Sequence, residues 1–251
     1  MTNNATIIKL REMSMNGMAD AYRHQAIDNT LDNCSFDERF AMLVDIEWDK
    51  RKNNRLKRLI QGASFKFGNA CIANVDYFED RKLDRAAIME LASCSYITEN
   101  ENIIITGASG SGKTWLACAF GIEACKKYYS VRYVRLPELL DDLVVARSEG
   151  GHQRVIDKYA KAKLLILDEW LLTRLNEHEA KDLFEIVEMR YSRASTILCS
   201  QFKTGGWHEK IGQTTLADAI LDRLVHNSHH IFIDGKMSMR ERQGLRKIQN
   251  K

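Results

Sequence analysis

The sequence predicts an α/β fold, in which a parallel sheet flanked by helices carries a phosphate loop, preceded by a small all-helical N-terminal domain. Three observations support this prediction. Strand and helix patterns alternate from residue 102 onward, which is typical of a parallel sheet with helices on both of its faces. A glycine-rich run directly follows the first of these strands, and a helical pattern follows the run. Before residue 65 the patterns are helical.

The composition is that of a globular protein, because 45% of the residues are hydrophobic, 28% are charged and the formal net charge is only +3. No apolar stretch approaches the length of a membrane span, and the N-terminus lacks the pattern of a signal peptide. We therefore expect a cytoplasmic protein. Six cysteines lie far apart and form no C-x-x-C pair, so they are expected to be reduced thiols rather than disulfides or zinc ligands.

Three regions are expected along the chain. Residues 1–65 form the helical N-terminal domain, residues 66–100 form a connector, and residues 101–251 form the nucleotide-binding domain with a basic C-terminal tail. In the first region, Gly17 begins a short amphipathic helix. Ser35 and Glu38 then have the spacing of a capping box at the start of a longer helix, which Gly62 is expected to end.

The middle of that longer helix is strongly basic. The run spans more than two helical turns, so its residues cannot all face one surface. Three interpretations stay open: contact with DNA phosphates, an ordinary solvated face, or docking on an acidic partner or on the nucleotide-binding domain. Arg147, on the helix after Pro137, is an expected further DNA contact. The basic residues of the run are Lys50, Arg51, Lys52, Arg55, Lys57 and Arg58.

The connector carries one predicted helix, from Asp84 to about Cys94. Pro137 is expected in the first turn of a helix, where its missing N–H costs nothing. The five predicted strands are Asn102–Thr106, Val131–Arg135, Lys163–Asp168, Thr196–Ser200 and His230–Asp234. The predicted helices after the connector are 112–127, Pro137–Ser148, 154–161, 177–191 and 215–226.

The glycine-rich run, Gly107–Thr114, fits G-x-x-x-x-G-K-[ST] and has the strand–loop–helix context that this motif requires. Its glycines allow backbone N–H groups to surround a triphosphate. Lys113 can neutralise the β- and γ-phosphates, Thr114 can hold Mg²⁺, and the helix beginning near Trp115 directs its positive end at the phosphates. The residues expected to bind ATP are Gly107, Ala108, Ser109, Gly110, Ser111, Gly112, Lys113, Thr114, Trp115 and Asp168.

A second site is predicted where an apolar run, Leu164–Leu167, ends in Asp168 and Glu169. This pattern is typical of a buried parallel strand, and ligands of such sheets lie at the carboxyl ends of the strands. Asp168 is expected to hold Mg²⁺, and Glu169 to act as the general base that polarises the attacking water. The alternative is that both acids only cap a surface strand.

Two further positions are weaker candidates. Ser200, or Gln201 after it, ends another apolar strand and can either reach the γ-phosphate or simply cap the strand. Arg223 lies on a helix whose apolar stripe contains Leu216, Ile220 and Leu224. Because Arg223 falls off this stripe, we expect it to point outward. Spacing alone favours an ordinary surface charge there.

These features resemble the AAA+ ATPases of the DnaA/DnaC initiator and helicase-loader clade, and most of all the IstB-like transposition helper family of bacterial insertion sequences. The resemblance covers almost the whole chain. It includes Phe36–Arg39, the basic helix, the phosphate loop and Trp207–Glu209. The most specific part is the run Leu216–His226.

The resemblance implies an ATP-dependent homo-oligomer that binds duplex DNA and assists a transposase in selecting target DNA. It implies that Arg223 is an arginine finger, which acts on ATP held by the neighbouring subunit. It also makes Arg240 a second-sensor arginine that contacts the γ-phosphate in its own subunit. Ser200 is the candidate catalytic residue at the sensor position, where this chain departs from the many AAA+ proteins that have asparagine.

Two other functions remain open at this point. A replicative helicase loader shares nearly every motif and differs in its partner. A small-molecule kinase uses the same phosphate loop, but the acid pair and the arginine-finger helix argue against it.

Overall fold

The structure is a computed structural model that describes residues 4–31, 33–212, 214–235 and 237–243. The chain divides into two compact units, Met1–Arg58 and Leu59–Lys251. Within the described ranges, no helix combines the length and the apolar character that a membrane crossing needs.

The first unit is helical. It contains α1 (Asn4–Glu12), α2 (Asn16–Gln25) and most of α3, which spans Phe36–Ala63. The predicted capping box is confirmed, because the Ser35 N–H donates to Glu38 Oε2 at 2.7 Å and the Glu38 N–H donates to Ser35 Oγ at 3.3 Å. The expected stop at Gly62 is wrong. The helix continues through Gly62 and ends before Ser64, which takes the left-handed conformation.

The second unit contains a five-stranded sheet in which all neighbouring strands are parallel, in the order β2-β3-β4-β1-β5. This confirms the predicted α/β class. The strands are β1 (Asn102–Gly107), β2 (Val131–Arg135), β3 (Leu164–Asp168), β4 (Ser195–Ser200) and β5 (Ser228–Ile233). The helices are α4 (Arg85–Ala92), α5 (Ser95–Thr98), α6 (Lys113–Lys126), α7 (Leu136–Ser148), α8 (His152–Ala160), α9 (Glu177–Arg190), α10 (Trp207–Ile211), α11 (Thr214–Val225) and α12 (Met239–Gln243).

The central strands explain the continuous apolar runs of the sequence. Every residue of β3 and β4 is buried, because helices cover both faces of the sheet. Since the strands are parallel, their carboxyl ends lie along one edge of the sheet. That edge brings together Gly107, Arg135, Asp168 and Ser200, the last residues of four strands.

Candidate nucleotide-binding site

The phosphate loop connects β1 to α6, and its backbone requires glycine. Gly107 and Gly112 have φ angles of +154° and +96°, which side chains of L-residues rarely adopt. A Cβ atom on Gly107 would lie 2.4 Å from the carbonyl oxygen of Ile233. The loop is therefore wrapped tightly against the end of β5.

Lys113 lies inside this loop. Its Nζ donates hydrogen bonds to the carbonyl oxygens of Gly107 and Ala108, both at 2.7 Å. The side chain is only 8% exposed, and burial lowers the pKa of its ammonium group. A buried cation held only by neutral carbonyls is well suited to exchange those partners for phosphate oxygens.

Asp168 is the centre of a hydrogen-bond cluster at the end of β3. Its Oδ2 accepts from the Thr114 hydroxyl at 2.9 Å and from the Tyr133 hydroxyl at 2.8 Å, and its Oδ1 accepts from the Glu169 N–H at 2.9 Å. Burial and the Asp168 charge raise the pKa of Tyr133, which therefore stays a donor. The Thr114 hydroxyl and the Asp168 carboxylate are the hard oxygen ligands that suit Mg²⁺ beside a phosphate loop.

Glu169 follows directly and has a φ angle of +54°, a conformation that costs a non-glycine residue free energy. Its Oε2 accepts a hydrogen bond from Arg135 Nη2 at 2.6 Å, and Arg135 also binds Glu138 at 2.9 Å. These hydrogen bonds raise the pKa of Arg135, which stays a cation. Glu169 must loosen this ion pair before its carboxylate can take a proton from water.

Sequence reasoning missed both Tyr133 and Arg135. A signal was present, because β2 precedes β3 in the chain and neighbouring parallel strands end at the same edge. In the structure, Arg135 pairs in register with Asp168. The order of the strands was needed to see that these two side chains reach the acid pair.

Ser200 is buried, with 1% of its surface exposed. Its hydroxyl donates to the carbonyl of Trp170 at 3.0 Å and accepts from the N–H of Phe202 at 3.1 Å. These contacts favour the strand-end cap, one of the two alternatives considered for this position. Gln201, the next residue, is exposed.

Arg223 does not point outward as expected. It packs against α9, where it is ion-paired with Glu188 and lies 5.3 Å from the centre of the Phe184 ring. The Nδ2 atom of Asn102, the first residue of β1, donates to the carbonyl of Leu224 at 3.3 Å. Arg223 therefore lies near the amino-terminal edge of the sheet, opposite the edge that carries the phosphate loop. The side chain of Arg240 lies outside the described residues.

The six basic residues of α3 are all exposed. Two of them are ion-paired within the first unit, since Arg51 binds Glu47 at 2.7 Å and Lys50 lies 3.8 Å from Asp20. In the second unit, Arg147 binds the nearly buried carboxylate of Asp182 at 2.5 Å. Its charge is therefore already partly neutralised.

A cavity of about 570 Å³ lies beside the phosphate loop. Trp115 contributes to one wall. Other lining residues come from the segment predicted as a connector, and they include Phe67, Asn69, Asp76 and Arg81. The sequence pattern offered no chemical role for this segment.

Comparison with known proteins identifies close relatives. Residues 8–247 match the family model described as IstB-like ATP binding protein. A protein of Sinorhizobium fredii named as an insertion sequence ATP-binding protein, y4pL, is 42% identical over 97% of this chain and 98% of its own length. The ATP-binding protein of insertion sequence IS1162 from Pseudomonas fluorescens is 39% identical over 80% of this chain and 87% of its own length.

Solved structures agree in fold. The DnaI structure has a TM-score of 0.58 over 70% of this chain and 93% of that chain, at 19% identity. The structure of the DnaC helicase loader has a TM-score of 0.55, and the match covers 66% of this chain and 97% of the loader chain at 17% identity. AMPPCP-bound DnaA from Aquifex aeolicus gives 0.56 at 20% identity, and the match covers 68% of this chain and 52% of the DnaA chain. The nucleotide-binding unit therefore has the P-loop AAA+ fold of these proteins.

Proposed function

This chain belongs to the family of IstB-like ATP-binding proteins, and from that premise we propose that it hydrolyses ATP as a homo-oligomer on duplex DNA and assists the transposase of an insertion sequence in selecting target DNA. The observation that carries the ATPase proposal is the hydrogen bond between Thr114 and Asp168, with Glu169 next to Asp168. The three residues lie beside the phosphate loop, where β3 ends and α6 begins.

Each of these residues has a distinct task in the proposed reaction. The loop amides and Lys113 bind the phosphates, and the amino terminus of α6 adds its positive dipole. Thr114 and Asp168 would hold Mg²⁺, which neutralises charge on the phosphates when it is bound. Glu169 accepts the proton of the attacking water once its carboxylate has left Arg135.

Arg223 is proposed to complete the site of a neighbouring subunit. Its place near the amino-terminal edge of the sheet supports this, because the phosphate loop of its own subunit lies at the other end of β1. In the assembly, Arg223 must then either leave its ion pair with Glu188 or reach the neighbouring ATP while it stays paired. Ser200, or Gln201 after it, and Arg240 remain proposed contacts of the γ-phosphate.

The names of the relatives place them in insertion sequences, and this supports a transposase as the partner of this chain. The alternative partner is a replicative helicase, as for the DnaC helicase loader of similar fold. Capture from cells with tagged full-length protein separates the two, since a transposase is expected and a hexameric helicase would instead support the loader.

We expect duplex DNA to raise the rate of phosphate release from ATP. DNA organises subunits so that Arg223 of one reaches the ATP of the next, whereas a small-molecule kinase has no reason to respond. The measurement is phosphate release with and without duplex DNA, with Glu169→Gln as the blank for contaminating ATPase. A rate that DNA leaves unchanged, in a protein shown to bind it, would count against the proposal.

DNA binding by α3 is expected to depend steeply on salt. Each neutralised phosphate contributes about 0.9 to the slope of log affinity against log salt. Changing Arg51, Arg55 and Arg58 together to glutamine should therefore flatten the slope by about 2.7 for each bound subunit. The measurement is duplex DNA binding over a range of salt concentrations with ATP present.

The matched control removes three exposed lysines from the second unit, each ion-paired with an acid three or four residues away: Lys126, Lys161 and Lys181. This control should keep the slope of the unchanged protein. If the arginine variant keeps it as well but loses the transposase, then α3 binds the partner and not DNA.

A further inference from the structure

Arg81 is a buried arginine that the proposed mechanism does not use. It ends a short 3₁₀ turn, Glu79–Arg81, in the segment before α4, and Lys82 after it takes the left-handed conformation. Only 6% of Arg81 is exposed, and its side chain lines the cavity beside the phosphate loop. The turn is anchored at the sheet edge, because the N–H of Asp234 donates to the Arg81 carbonyl at 3.2 Å.

The guanidinium of Arg81 binds two backbone carbonyls. Its Nη2 donates to the carbonyl oxygen of Ser111 at 2.9 Å, and its Nη1 donates to that of Asp76 at 2.5 Å. Burial lowers the pKa of Arg81, while the charges of Asp76 and Asp80 act in the opposite direction. The two acceptors of the Arg81 guanidinium are backbone carbonyls, which are neutral and do not offset its positive charge. That charge therefore lies against the outer side of the phosphate loop.

The Ser111 carbonyl and the Gly112 N–H belong to one peptide unit. A cation that binds the carbonyl polarises this unit, and the N–H on its other side becomes a stronger donor. Gly112 also permits the approach, since a Cβ atom there would lie 3.0 Å from Nη2 of Arg81. The amides of such a loop are the groups that hold the α- and β-phosphates of a nucleotide.

We propose that Arg81 is a positioning residue for nucleotide binding, which holds and polarises the Ser111–Gly112 peptide from outside the loop. Arg81 thus strengthens the contact of the Gly112 N–H with phosphate without touching the nucleotide itself. This inference rests on the proposed binding of ATP and adds to it a residue outside the phosphate-loop motif.

The test measures the affinity of the full-length protein for ATP and ADP by calorimetry. Because polarisation strengthens a neighbouring hydrogen bond by about 10–30%, and a hydrogen bond to a charged group contributes about 1.5–3 kcal/mol, Arg81→Gln is expected to weaken the binding of both nucleotides by up to about 5-fold. Arg81→Lys keeps the charge and one donor, and should recover most of the affinity. Arg85→Gln is the matched control, since it removes an exposed arginine four residues away and should bind as the unchanged protein does.

A second measurement separates positioning from general support of the fold. In protein labelled with ¹⁵N-glycine, Arg81→Lys is expected to move the amide resonance of Gly112 and to leave that of Gly62 in place. This readout serves even if Arg81→Gln does not fold. An unmoved Gly112 resonance, or ADP binding by Arg81→Gln equal to that of the unchanged protein, would overturn the inference. If the unchanged protein bound neither ATP nor ADP, the proposed function would fail instead.

Discussion

Replacing Arg223 with alanine is expected to lower the rate of ATP hydrolysis about 10³- to 10⁵-fold, the range typical of a lost arginine finger. Binding of ATP to each monomer should be unchanged. The geometry gives the reason: the backbone of Arg223 and Leu224 meets Asn102 at the start of β1, whereas the phosphate loop follows Gly107 at its end. At about 3.3 Å per residue, these ends of β1 lie about 17 Å apart.

The decisive measurement mixes two inactive proteins, Arg223→Ala and Lys113→Ala. At a mixed interface the first supplies an intact phosphate loop and the second supplies Arg223, so part of the activity should return. Asp222→Ala, a neighbouring exposed residue on α11, is the control and should keep normal activity. No recovery at any mixing ratio, with mixed assembly confirmed, would show that Arg223 does not act between subunits.

Lys113→Ala and Glu169→Gln are expected to separate ATP binding from hydrolysis. Lys113→Ala should abolish tight binding, with a loss of at least about 30-fold, because a partner of a buried charge pair contributes about 2–5 kcal/mol. Glu169→Gln should bind ATP normally and hydrolyse it about 10²- to 10⁴-fold more slowly, as expected for a lost general base. Calorimetry and single-turnover hydrolysis measure the two effects.

Glu138→Gln is the matched control for Glu169→Gln. Arg135 binds both carboxylates, but Glu138 lies on α7 and is expected to take no part in the reaction. It should therefore keep nearly normal hydrolysis. Turnover by Glu169→Gln close to that of the unchanged protein would refute the general-base role. If the variant instead binds ATP without hydrolysing it, its oligomer should stay on DNA longer than that of the unchanged protein.

Local patterns in the sequence were sufficient for the elements of the fold. A buried parallel strand needs a continuous apolar run, and the five predicted strands agree with the structure within about two residues at each end. The capping box of α3 and the phosphate loop were equally visible, because each depends on residues only a few positions apart. The end of α3 was misplaced at Gly62, since a glycine near a helix end marks a stop only where the backbone turns left-handed.

The sequence by itself thus determined the fold class, the phosphate loop and the acid pair Asp168–Glu169, all of which follow from neighbours along the chain. The tertiary structure alone decided which side chains meet these groups. Arg135 reaches Glu169 because β2 lies beside β3, and Arg81 reaches Ser111 because a turn 30 residues earlier packs against the loop. Such contacts depend on the order of the strands and on which distant segments pack together. Periodicity in the sequence does not encode them, because it specifies the buried face of an element and not the neighbour of that element.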